Sequence, residues 1–516
     1  MFDATFRNIA DVIREHAAAR PEQPALVQGD RQLTHAELDT MMDRVAVALQ
    51  RDGVCAGDVI ALCGSTTPQQ AALFLGGLRA GAVVAPLASS VTPAIFASML
   101  GDTDARLLFV DASASALVPA DIKPRCIALE AGAPGRPFAD WLASPQTRPR
   151  PVTVEPKSPF NIIYSSGTTG TPKGVVQPHM MRWMHLLRGT PYGYGPDAVT
   201  VLATPLYSNT TLVAFFPALG LGGTVVLIAK FDAAAYLALA ERHRATHTML
   251  VPVQYQRIMA LPEFGRHDLS SFRMKFSTSA PFAAALKADV LARWPGGLIE
   301  FYGMTEGGGT CILEAHQHLD KLHTVGRPAE GHDIRLIDDD GHEVARGEAG
   351  EVVGHSPTLM TGYHNQPQRT REAEWYAPDG MRFIRTGDIG RFDSDGFLTL
   401  FDRKKDMIIS GGFNIYSIDL EAQLIAHPAV REAAVVGVSS VRWGETPIAF
   451  VVRRAGEDTS AADLREWLNA RVGKTQRLTD LICVDELPRN ALGKILKREL
   501  RERYQTKRSR GLHKET

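Results

Sequence analysis

The chain has 516 residues, 45% of them hydrophobic and 22% charged, with a formal net charge of −1. That length exceeds one compact core, so at least two domains are expected, and the balanced charge gives no electrostatic case for nucleic acid or an anionic membrane as the main partner. Five scattered cysteines without a CxxC pair argue against a disulfide framework and a zinc site and fit a reducing cytoplasm.

Met1-Phe2-Asp3-Ala4-Thr5-Phe6-Arg7 lacks the basic start and apolar core of a secretory signal. Thr34-His35-Ala36-Glu37 forms a capping-box pattern, and Leu38, Met42, Val45 and Leu49 recur at helical spacing until Gly53, which predicts a helix. Residues 59–62 read as a short buried strand, Thr67-Pro68 opens a helix ending near Gly81, and 82–87 and 106–110 read as strands. The rhythm returns with strands at 160–164, 224–228 and 248–251, so the alternation predicts an α/β fold of layered, mostly parallel sheets covered by helices. The uncharged stretch 198–229 is interrupted by Pro205, Pro217, Gly220, Gly222 and Gly223 and reads as protein interior, not as a membrane span.

After Gly326 short strands with Asp340-Gly341 and Asp395-Gly396 turn signals suggest antiparallel hairpins or a small β-barrel closing the large domain. From Arg403 the pattern is a helix at 418–425, strands at 433–438 and 448–453, a helix capped by Ser460 with Asp463, and a strand at 481–484. This predicts a large domain over 1–402 and a small α+β domain over 403–516, joined at Asp402-Arg403-Lys404-Lys405-Asp406. The basic tail 504–516 reads as a frayed end.

One loop carries most of the chemistry. Tyr164-Ser165-Ser166-Gly167-Thr168-Thr169-Gly170-Thr171-Pro172-Lys173-Gly174 follows the apolar run Phe160-Asn161-Ile162-Ile163 and combines glycines, hydroxyls and a lysine, the groups that grip a polyphosphate. Two residues separate Gly167 from Gly170, and Gly174 follows Lys173, so the loop is not a Walker A motif and a P-loop kinase or ATPase is not the first choice. A flexible surface loop is the plain alternative.

With this spacing the chain resembles the adenylate-forming superfamily of acyl-CoA synthetases, adenylation domains and luciferases. Further segments match that pattern in order: Ser279-Ala280-Pro281, Tyr302-Gly303-Met304-Thr305-Glu306, Gly326-Arg327-Pro328, Thr386-Gly387-Asp388, Asp402 to Asp406, Gly411-Gly412-Phe413-Asn414-Ile415, and Pro488-Arg489-Asn490-Ala491-Leu492-Gly493-Lys494. The resemblance implies a carboxylic acid–CoA ligase that uses ATP, Mg²⁺ and coenzyme A and passes through an acyl-AMP.

The same resemblance implies residue roles. Ser165, Ser166, Gly167, Thr168, Thr169, Gly170 and Lys173 would hold the β- and γ-phosphates, Thr305 the α-phosphate and Glu306 the metal ion. Asp388 would accept from the ribose hydroxyls with Arg403 beside it; Tyr302, with Gly303 and Met304 following, would stack on adenine while Ser279, Ala280 and Pro281 read its edge. Lys494 would bridge the substrate carboxylate and the α-phosphate. Lys405 would be the hinge of a mobile small domain, with Gly411, Gly412 and Phe413 forming a passage for the pantetheine arm. Two residues depart from the pattern: Ser417 stands where relatives commonly have Pro, and Asp419 where they have Glu.

Amino-acid-activating relatives place an aspartate where Asn209 stands, and no acidic residue lies in 198–229, so a simple carboxylic acid is the expected substrate. Tyr207, Asn209, Thr211 and Phe215, with Phe216 and Leu219, would line an acyl pocket suited to an aromatic, alicyclic or medium-chain fatty acid, although they fit plain core equally well. Free coenzyme A is the expected acceptor. A ligase loading a separate acyl carrier protein and a non-catalytic nucleotide-binding homologue are the alternatives, and a homodimer is compatible with either.

Overall fold

The computed structural model describes residues 5–165, 172–410, 413–440, 443–490 and 493–512. By its internal contacts the chain forms two units, Met1–Ile334 with Val353–Arg385, and Arg335–Val352 with Thr386–Thr516. Strands Arg382–Phe392 and Leu398–Arg403 pair with Asp388 opposite Arg403.

Two sheets build the first unit. In one of nine strands, Gly297–Gly303, Met274–Ser277, His247–Leu250, Val199–Leu202, Thr224–Leu227 and Pro24–Gln28 run parallel in that spatial order. In the other, of eight strands, Pro159–Ser165, Val83–Leu87, Val59–Cys63, Leu107–Val110 and Arg125–Ala128 run parallel, and Lys173–Pro178 returns antiparallel along Pro159–Ser165. The central strands are short and mostly buried, as in a parallel sheet covered on both faces.

Local signals explain the elements. Thr34 accepts from the Glu37 N–H while Glu37 returns a bond to the Thr34 N–H, closing the capping box of helix His35–Arg51. Thr67 caps helix Pro68–Arg79 with proline at its start. Helix Asn209–Gly220, capped by Ser208, lies within the uncharged stretch, and ten of its residues from Thr210 to Gly220 are buried. No helix among the described residues is long and apolar enough to cross a membrane.

In the second unit, strands Val430–Ser440 and Gly444–Arg453 pair antiparallel, and Asp480–Cys483 joins the latter in parallel. Leu420 and Leu424 of helix Ser417–Ile425 pack with Val435, Val451 and Leu464. Asp393 to Phe397 closes a turn with Gly396 at φ 81°, as the Asp-Gly signal predicts. The segment from 504 differs from the expected frayed end in that helix Lys497–Leu512 continues through it, with an Arg503–Glu499 ion pair at i, i+4 on its earlier turns.

Candidate active site

In the first unit, Ser165 ends one strand and Lys173 starts the next, and the two stand opposite each other. The ends of the Ser/Thr/Gly segment are thereby held side by side. Ser166, Gly167, Thr168, Thr169 and Gly170 lie outside the described residues. Strand Gly362–Tyr363 adds to the same edge with Tyr363 opposite Val175. Lys173 Nζ sits 4.7 Å from the centre of the Tyr363 ring, and the Tyr363 hydroxyl donates to Glu306 Oε1 at 2.8 Å. Burial, followed by the Glu306 charge, raises the Tyr363 phenol far above its ordinary range, so it remains a donor.

Glu306 reaches this point from the turn after strand Gly297–Gly303. Tyr302 and Gly303 finish the strand, and Met304 and Thr305 begin the turn, which closes through the Gly307 N–H on the Met304 carbonyl at 3.0 Å. Gly307 has φ +73°, and a Cβ there would stand 2.4 Å from the Thr358 carbonyl oxygen, so only glycine fits. Gln177, on the strand that Lys173 starts, donates from Nε2 to the Thr305 carbonyl at 2.7 Å. Lysine, tyrosine, glutamate and threonine from three stretches of chain are thus locked together.

Ser279, exposed in the loop after strand Met274–Ser277, holds φ 79°, a left-handed conformation that costs a serine about 1–3 kcal/mol. Its Oγ shares a 2.5 Å hydrogen bond with Thr210 Oγ1. Ala280 and Pro281 continue this loop. Strain sustained in an exposed loop beside a helix start fits a binding edge better than a plain connection.

The residues expected to line the acyl pocket separate into different environments. Tyr207 is half-buried, with its hydroxyl 3.2 Å from Ser90 Oγ. Thr211 is wholly buried, bonded to Thr204 Oγ1 at 2.7 Å and the Pro205 carbonyl at 2.6 Å, and Phe215 packs on Phe216 in the core. Instead, Val213, Ala214 and Pro217 of the same helix line a small cavity. Asn209 Oδ1 accepts from Gln177 Nε2 at 3.2 Å and from Arg182 Nη2 at 2.9 Å. Burial alone lowers the fully buried Arg182 guanidinium to about 9. Neither Arg182 nor Gln177 nor Tyr363 was expected from sequence; the available signal was the polar Asn161 and Gln177 inside otherwise apolar strands, which face each other with a 3.0 Å side-chain bond.

In the second unit, Asp388 Oδ1 and Arg403 Nε form an ion pair at 2.8 Å across adjacent strands. Lys405 is exposed in the turn that follows. Lys494 follows Gly493, which has φ +77°, in a loop clamped by Asn490: the Lys494 N–H donates to Asn490 Oδ1 at 2.9 Å, and the Asn490 N–H returns to the Lys494 carbonyl at 3.0 Å. Desolvation by the surrounding chain comes first and the Arg403 charge second in pushing the Lys494 ammonium down to about 8, with Asp388 opposing them. Lys494 therefore belongs electrostatically to the Asp388–Arg403 cluster. Gly411 and Gly412 lie outside the described residues; Phe413 opens strand Phe413–Ile415, opposite Ser410.

Magnesium ions usually take one or two protein carboxylates together with substrate phosphate oxygens. Glu306, almost fully buried and held by Tyr363, fits such a single anchoring carboxylate. Among the described residues, the one set of three metal-ligating side chains close enough to share an ion is the exposed group Asp338, Asp340 and His342, where no polyphosphate-binding element is present.

The family of AMP-binding enzymes matches residues 13–364, and its C-terminal domain matches 419–494. The chain is 33% identical to an indoleacetate–CoA ligase of Aromatoleum aromaticum, over 96% of this chain and 98% of that protein. It is 34% identical to a feruloyl-CoA synthase of an Amycolatopsis species, over 95% and 97%. ATP-bound MatB from Rhodopseudomonas palustris shares the fold with a TM-score of 0.86 at 28% identity, covering 96% of this chain and 98% of that one. Fold and site together define an enzyme that joins a carboxylic acid to a thiol through an adenylate. The chain belongs to the AMP-binding enzyme family and is an AMP-forming carboxylic acid–CoA ligase of the acyl-CoA synthetase class.

Proposed function

We propose that this enzyme activates an aromatic or alicyclic carboxylic acid and transfers it to free coenzyme A. A thiol attacks a carboxylate poorly, because the anion repels it and oxide is a bad leaving group. In the first half-reaction a carboxylate oxygen attacks the α-phosphorus of ATP, the bond to the β-phosphate oxygen breaks, and pyrophosphate leaves. Charge grows on the phosphoryl oxygens, so positioning and cationic stabilisation supply the catalysis and no protein nucleophile is needed.

The observation that carries this reading is the Lys173–Tyr363–Glu306 chain, a cation, a fixed donor and a carboxylate on adjoining elements. Lys173 with the hydroxyls of the preceding loop grips the β- and γ-phosphates, Thr305 orients the α-phosphate, and Glu306 anchors Mg²⁺, whose charge offsets that of the phosphates. Asp388 accepts from the ribose hydroxyls, and Lys494 bridges the acid and the α-phosphate. In the second half-reaction the thiolate attacks the acyl carbon and AMP leaves, after the small domain turns about Lys405 so that Lys494 withdraws and the segment from Gly411 to Phe413 admits the pantetheine arm. The aromatic lining contributed by Tyr192, Phe276 and Phe301 supports a ring-bearing acid over a flexible chain.

Incubation with ATP, Mg²⁺ and a panel of ring-bearing and straight-chain acids, with and without coenzyme A, tests this. The expected products are acyl-AMP alone without the thiol and acyl-CoA plus AMP with it, on ring-bearing acids by preference. Adenylates that discharge only onto an acyl carrier protein would overturn the choice of acceptor, and a preference for straight chains would overturn the choice of acid.

A further inference from the structure

Arg182, His185 and Arg188 lie three residues apart on helix His179–Gly189, a spacing that aligns them along one face. Charged stripes normally face water, but this one faces the interior. Arg182 is wholly buried, and His185 and Arg188 line the cavity beside Tyr192, Tyr194, Phe276 and Phe301. Among the described residues no carboxylate pairs with either guanidinium. Arg182 donates to the amide oxygens of Asn161 (3.3 Å), Asn209 (2.9 Å) and Gln177 and touches His185 Nδ1 at 3.3 Å, whereas Arg188 meets His332 Nε2 at 3.2 Å. The acidic group that bears on the cavity, Glu314, acts on Tyr192.

Two further polar atoms lack partners there. The Tyr194 hydroxyl, on the cavity wall, and His332 Nδ1, on the ring that touches Arg188, are both buried without a hydrogen bond. Arg188 is half-buried, and a partly desolvated guanidinium without a counter-ion is unfavourable, so a ligand that brings the missing anion removes that penalty. The cavity's other walls are rings: Tyr192 and Phe276 stand 5.5 Å apart, and Phe276 and Phe301 5.7 Å. Its position along helix Asn209–Gly220 sets a length. Asn209 is tied through Gln177 to the Thr305 carbonyl, while Val213 and Pro217 reach the cavity four and eight residues later, about 6–12 Å along the axis. That is the span of a ring with a substituent on its far side.

We propose that the acid activated by this enzyme is a dicarboxylate built on an aromatic or alicyclic ring, whose second carboxylate is held in the cavity by Arg188 with the Tyr194 hydroxyl. This rests on the ligase reading above. Arg182, one turn and a half earlier, is engaged by three amides and holds the helix start; Arg188 is the group left for the ligand.

The test compares matched acids on the wild-type enzyme: benzoate with isophthalate and terephthalate, and cyclohexanecarboxylate with cyclohexane-1,4-dicarboxylate, read as kcat/KM for pyrophosphate release. The expected result is a preference for the diacid of about 30-fold or more, a ratio that collapses in Arg188→Met and recovers in part in Arg188→Lys. Because the wild-type comparison needs no variant, it stands even if Arg188→Met does not fold. Turnover of the monoacids with no preference for diacids, or an unchanged ratio in a folded Arg188→Met, overturns this inference and leaves the ligase reading intact. Absence of AMP from every acid overturns both.

Discussion

Tyr363 shows how a single side chain can organise a phosphate site. Its ring takes the Lys173 ammonium on one side, and its hydroxyl fixes one Glu306 oxygen, so the cation and the carboxylate proposed to serve one polyphosphate are tied to a single side chain. A hydrogen bond to a charged group contributes about 1.5–3 kcal/mol, so Tyr363→Phe is expected to lower kcat/KM for adenylate formation by about 10-fold or more with little change in fold. Retention of wild-type pyrophosphate release would dismiss this role. Lys494 gives a second residue-scale expectation. Desolvation, then the Arg403 charge, pushes its ammonium down to about 8, below the ordinary lysine value, and the bridging role needs the protonated form. Adenylation should therefore hold below that pH and decline as pH rises through it. Lys494→Ala should abolish adenylation while sparing thioester formation from supplied acyl-adenylate, and equal loss of both steps would count against the assignment.

Helix Ser417–Ile425 shows how a departure from a family pattern can be absorbed by an element. Proline at its first position would fit the helix but could donate no N–H. Here the Ser417 N–H donates to Asp402 Oδ2 at 2.8 Å, its hydroxyl donates to the same oxygen at 2.5 Å, and the Lys497 ammonium donates to that hydroxyl. Burial works against the Lys497 charge, but Glu421, 2.9 Å away, and Asp402 raise its pKa above the ordinary value. Ser417→Pro should destabilise the second unit by about 1–3 kcal/mol, measured as a lower denaturation midpoint; an unchanged midpoint would mean that water replaces both bonds freely. Elements of this kind were legible in the sequence wherever their cause is local: the Thr34 capping box, the Thr67-Pro68 start and the Ser460 cap need only neighbouring residues. The charged face of helix His179–Gly189 was not, because only tertiary packing decides whether a cationic stripe meets water or the interior.

For the whole molecule, the alternation of apolar strands with helical patterns, followed by a change of texture after Gly326, was enough to anticipate an α/β architecture of two parts. What brings distant motifs together was not readable. Tyr363 lies 190 positions beyond Lys173, and strand pairing through Val175, not any local signal, sets it above that lysine. Arg403 was expected beside Asp388 only from the family resemblance, and it is the sheet register that makes them direct partners at 2.8 Å. If the small domain must turn between the half-reactions, a stiffened turn should impair the second more than the first. Lys405→Pro is accordingly expected to leave pyrophosphate release near the wild-type rate and to cut thioester yield by about 10-fold or more, since hinge positions absorb the φ/ψ change; equal damage to both would remove Lys405 from that role.

The central claim is that the acid's own oxygen joins the α-phosphorus of ATP. Turnover of a carboxylic acid labelled with ¹⁸O in its carboxylate, followed by mass spectrometry of the nucleotide and phosphate products, tests it directly. One labelled oxygen in AMP with unlabelled pyrophosphate is the predicted result. Label-free AMP, or ADP with inorganic phosphate, would contradict it.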